Sequence, residues 1–80
     1  MIEKFFECRT ITLSNGLVCF ELEKVVCNDY VDLLVFHLTH YACEDPKNIF
    51  IDEHKYFEKI NDLDNYFNLK ISELNVLGYK

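Results

Sequence analysis

Asp29–Cys43, DYVDLLVFHLTHYAC, is the longest apolar run in the chain, and its reading decides the fold. As a helix, it spaces Tyr30, Leu34, Leu38 and Tyr41 by four, four and three, and Val31, Val35 and Ala42 widen the stripe. Asp29 suits an N-cap, and Asp32 puts a negative charge in the first turn, where the macrodipole favours it. Glu44-Asp45-Pro46 then stops the helix, because a residue before proline is pushed out of the α region. As a strand, the run would use Asn28-Asp29 as a hairpin turn, and Val31, Leu33 and Val35 would share a face. The run is long for a strand, and its cap and stop signals suit a helix. We therefore read it as a largely buried helix.

Upstream, residues 2–27 read as a β-hairpin around Asn15-Gly16, the dipeptide that a two-residue type I′ turn favours. That turn places Leu13 opposite Val18, Ile11 opposite Phe20 and Phe5 opposite Val26. It gathers Phe5, Ile11, Leu13, Val18, Phe20, Leu22 and Val26 on one face. Cys8, Thr10, Thr12, Cys19, Glu21 and Glu23 fall on the other face, where the two acids read as solvated. A three-residue turn would shift the pairing.

Downstream, Pro46 interrupts the chain, and Asn48–Ile51 reads as a short strand or an apolar lead-in. Asp52 is a good N-cap, with Ile51 and Tyr56 at the positions of a hydrophobic staple. The helix they open would run to about Phe67, bury Tyr56, Ile60, Leu63 and Phe67, and turn Lys55, Glu58, Lys59 and Asp62 outward. Residues 69–77 read as a strand returning to the hairpin, with Gly78 ending it or following a short helix. The expected fold is one α+β domain over residues 1–80. An N-terminal antiparallel hairpin carries two helices on one face, with a possible third strand at the C-terminus.

Eighty residues suffice for one small domain, which buries roughly 60% of its unfolded surface. Asp32 and His37 interrupt the best candidate for a membrane span, and Met1-Ile2-Glu3-Lys4 does not open like a secretory leader. On that basis the four cysteines read as reduced thiols and the compartment as cytoplasmic, in a host cell if the source is viral.

Signatures of chemistry are weak. His37, His40 and Cys43, with His54 beyond, could form a small metal-binding or regulatory cluster. A spacing of three and three, however, splays the outer pair around a helix, and no CxxC is present. No cysteine sits at a recognisable helix N-terminus beside a base, as a reactive thiolate requires. The carboxylates of Glu44-Asp45 and Asp52-Glu53 are sequence neighbours, which do not face each other on a helix. With two glycines, there is no phosphate-cradling loop. We expect no enzyme activity, no cofactor and no bound metal. Tyr30, Tyr66 and Tyr79 stand at element ends, where exposed tyrosines suit an interface.

Charge is the clearest functional signal. The net charge is −6, and residues 28–64 carry all of it: nine acids against three bases. That excess of acids argues against a phosphate-binding surface, which needs clustered Lys and Arg, and the chain has one Arg, so no direct nucleic-acid contact is expected. Glu44, Asp45, Glu58, Asp62 and Asp64 have no capping role and should form one negative patch. Such a chain suits occlusion of a basic surface on another protein, with spaced acids substituting for backbone phosphates. Anti-CRISPR and other anti-defence inhibitors of phage, and immunity proteins against toxin nucleases, work in this way. The expected partner is thus a nuclease or CRISPR effector. A structural subunit of a larger assembly is the plainer alternative.

Overall fold

The run that decides the fold is a strand. In a computed structural model, which describes residues 5–28 and 32–80, Asp32–Ala42 forms β3, the third of four strands. The others are β1 (Phe5–Ser14), β2 (Val18–Asn28) and β4 (Asp45–Phe57). All four pair antiparallel in one sheet of order β1-β2-β3-β4. One helix, α1 (Ile60–Val76), follows and packs on one face. This corrects the expectation of a two-stranded hairpin carrying two helices, with a third strand at the C-terminus.

The central run satisfies two periods at once. Leu34 and Leu38, four apart, share a face in either conformation. As a strand the run also sends Phe36 to that face, and all three are buried beneath α1. Val35, His37 and Thr39 point to the opposite face. With β2 on one side and β4 on the other, β3 is interior, and even Val35 on the helix-free face is 3% exposed. Leu33 and Val35 keep the run apolar on the open face as well, which is why its helical spacing misled. The expected N-cap Asp29, together with Tyr30 and Val31, lies outside the described residues.

The first hairpin has the expected faces in a different register. Leu13 pairs with Phe20, and Ile11 with Leu22, two residues along from the expected partners. A shift of two preserves every side chain's face. The turn moves one residue on, to Gly16-Leu17, with Gly16 at φ +93°. The Asn15 side chain explains the move: its Oδ1 accepts from the Leu17 and Val18 N–H groups at 2.9 and 2.8 Å.

β4 absorbs the expected lead-in and the first turns of the expected second helix. Asp52 is not an N-cap. It is the extra residue of a bulge between the pairs Leu38–Glu53 and Thr39–Ile51, and its carboxylate meets the His40 ring. Ile51 and Tyr56 lie exposed on the strand and staple nothing.

The helix buries Leu63 and Phe67, as their spacing predicts, while Ile60 is exposed. It also continues through residues 69–77, where a strand was expected, and buries Leu74. It ends in a Schellman closure: Gly78, at φ +102°, donates to the Asn75 carbonyl and Tyr79 to that of Leu74. Phe36, Phe67, Leu22 and Leu63 form the solvent-free centre between sheet and helix.

Candidate functional site

The face of the sheet opposite α1 has no element over it among the described residues. Strand register orders its side chains in rows. Thr10, Glu23, His37 and His54 cross the four strands in one row, and Thr12, Glu21, Thr39 and Ile51 in the next. Glu21, Glu23, His37, Thr39 and Ile51 line a hollow of about 200 Å³. The His37 and His54 rings meet edge to face, centroids 4.2 Å apart, and Tyr56 continues the aromatic run 4.8 Å from His54. Ile51 and Tyr56 are 74% and 65% exposed.

Alternation along the strands sorts the charges between the two faces. Arg9, Lys24 and Lys55 all point to the helix side, where they align in one row with Phe36. There they are engaged. Lys24 Nζ lies 2.6 Å from Asp64 Oδ1, Lys55 sits 4.4 Å above the Tyr66 ring, and Arg9 lies 6.0 Å from the Phe67 ring. The open face retains Glu21 and Glu23, and no row that holds them contains Lys or Arg. The hollow therefore presents two carboxylates beside imidazoles and exposed apolar groups. Such a surface can receive basic side chains.

The acids expected to form one patch do not meet. Glu44 and Asp45 lie at the β3–β4 turn, where Ala42 pairs with Asp45. Glu58, Asp62 and Asp64 follow Phe57, whose partner Leu34 lies at the other end of β3. From Leu34 to Ala42 the strand is roughly 26 Å long. Two of these acids also have local roles. Asp45 accepts from the Lys47 N–H at 3.2 Å and the Asn48 amide at 2.8 Å, and Asp64 takes Lys24.

The His37/His40/Cys43 cluster is dispersed too. His37 lies on the open face, His40 on the opposite face against Phe50 and Asp52, and Cys43 is bonded to Cys19. That bond corrects the reading of four reduced thiols; Cys8 and Cys27 remain free. Among the described residues no group of three or more His, Cys, Asp or Glu could hold a metal ion.

Tyr66 and Tyr79 turn inward, their rings edge-on to Phe36 and Phe20 at 5.1 and 4.7 Å. Tyr30 lies outside the described residues. The hollow escaped sequence reading although Glu21 and Glu23 were correctly placed on the helix-free face. Its other walls come from β3, read as a helix, and from Ile51 of β4, read as the end of a short strand or apolar lead-in.

Comparison with protein-family models, curated proteins and solved structures finds no match.

Proposed function

We propose that the protein is a small acidic binding module that occludes a basic, nucleic-acid-binding surface of another protein. A cytoplasmic nuclease or CRISPR effector is the class of partner that suits it. The observation that carries this reading is the sorting of charge across the sheet, with the strand bases engaged under the helix and Glu21 and Glu23 left on the open face. Two carboxylates on one strand, two residues apart, stand about 7 Å from each other on the same face. Ile51 and Tyr56 beside them add apolar contact area. Binding of this kind is steered by charge and is screened by salt.

The test is capture of host proteins on the tagged chain at low and high salt, comparing wild type with two double variants. Glu21→Lys with Glu23→Lys should abolish capture of a basic protein, and salt should weaken the wild-type interaction. Glu58→Lys with Asp62→Lys should leave capture intact. Salt-insensitive capture that survives charge reversal at Glu21 and Glu23 would remove the open face from consideration.

A further inference from the structure

One corner of the molecule brings together more covalent and hydrogen-bonded ties than its sequence separation suggests. Cys19, second residue of β2, is bonded to Cys43 in the β3–β4 turn, 24 residues away, with Cα atoms 5.5 Å apart. Independent backbone contacts hold the same corner. Val18 pairs with Ala42 and Cys19 with Tyr41, and the Cys43 N–H donates to the Leu17 carbonyl at 3.0 Å. The Ser14 hydroxyl lies 3.2 Å from Cys43 Sγ; a disulfide sulfur has no proton, so the hydroxyl donates. Both cysteines are only half-buried, within reach of a small thiol.

We propose that the Cys19–Cys43 bond is a reversible redox staple, one that regulates the open face if the binding role proposed above holds. Partly exposed disulfides are the labile, regulatory kind, and both sulfurs here lie on half-buried residues. The exchange needs only a dithiol of the thioredoxin or dithiothreitol class. Its thiolate attacks Cys19 Sγ, the S–S bond breaks, and Cys43 leaves as a thiolate that the Ser14 hydroxyl stabilises. The second thiol of the dithiol then resolves the mixed disulfide. Two electrons and two protons pass to the protein, and the dithiol becomes a cyclic disulfide. Because the β2–β3 ladder does not depend on the bond, the two thiols stay adjacent after reduction and close again readily under a small-molecule disulfide. Reduction removes the covalent tie on the turn that carries Glu44 and Asp45, next to the Cys19–Tyr41 row that borders the hollow.

The experiment is a redox titration of the full chain in buffers of oxidised and reduced dithiothreitol. Free thiols are counted by alkylation and mass spectrometry, with circular dichroism and melting followed in parallel. The oxidised chain should show two free thiols, assigned to Cys8 and Cys27, and the reduced chain four, with full recovery on reoxidation. Reduction should preserve the far-ultraviolet spectrum at room temperature and lower Tm by roughly 10–20 °C, the loss expected when a loop of this size is no longer closed. Cys19→Ser and Cys43→Ser should each melt like the reduced chain and lose the response to redox conditions. Four free thiols after oxidation, a different pairing, or loss of the spectrum on reduction would each overturn the proposal. None of these readouts involves a partner, so they stand or fall separately from the binding reading.

Discussion

The Tyr66 hydroxyl of α1 donates to Glu53 Oε2 on β4, and Lys70, one turn further along the helix, reaches the other oxygen of the same carboxylate at 3.4 Å. One carboxylate on the sheet's edge strand thus holds two groups of the helix. Burial first, then the hydrogen bond and charge of Glu53, keep the Tyr66 hydroxyl above its ordinary pKa. Burial pulls Lys70 down, but Glu53 and Tyr66 outweigh it and hold the ammonium above its ordinary value.

Both shifts have the same consequence for stability. Above about pH 10 the unfolded chain releases protons that the folded chain retains, so the unfolded state binds fewer protons and stability falls as pH rises. The contribution is complete at neutral pH. Melting temperature should be level through mildly alkaline conditions and drop beyond that point. Tyr66→Phe should flatten the drop and cost about 1 kcal/mol at neutral pH, the usual worth of one hydrogen bond. Parallel alkaline profiles for the variant and wild type would show that Tyr66 does not contribute.

Leu34→Ala and Leu63→Ala should each cost about 2–5 kcal/mol. Leu34 is buried on β3 and Leu63 on α1, within one core. Denaturant melts of the two variants check this, and a wild-type midpoint for either would place that residue outside the core.

Lys24 and Asp64 join β2 to α1, but the Asp64 side chain is 41% exposed. Screening limits such a pair to roughly 0.2–1 kcal/mol. A double-mutant cycle with Lys24→Met and Asp64→Asn should return a coupling in that range. A coupling several times larger would mean that the lysine's position over the Phe67 ring, 5.1 Å away, organises the core as well.

Gly16→Ala tests the turn. A Cβ there would meet nothing within 4 Å, so its whole cost is conformational, from holding a non-glycine residue at φ +93°. That cost should be about 1–2 kcal/mol. Chemical denaturation reads it directly, and an unchanged midpoint would mean the turn adopts another geometry.

The first hairpin was legible because alternation and Asn15-Gly16 agree, and faces survive a register error of two. The error itself came from Asn15, whose side chain caps Leu17 and Val18 in place of standing inside the turn. β3 was hidden because Leu33 and Val35 extend the apolar run onto the open face before His37 and Thr39 restore the alternation, and because Leu34 and Leu38 fit a helical spacing as well. For β4, Asp52 imitates a helix cap while serving as the bulge residue that meets His40. Leu63 and Phe67 were found because a helical stripe extends over both. The hollow needed β2, β3 and β4 in register, and β3 had been read as a helix.

Strand order in the sheet repeats the order along the chain, and the helix that closes the core comes after all four strands. A ribosome releases these elements in the same sequence. Each hairpin can therefore zip onto the last as it emerges, with little delay from distant pairings. But Leu22, Phe36 and Leu38 lack their cover until Leu63, Phe67 and Leu74 have left the exit tunnel. For that interval the nascent sheet shows water an oily side, with the long edge of β4 beside it, and the state most prone to self-association is the one just before synthesis of α1 is complete.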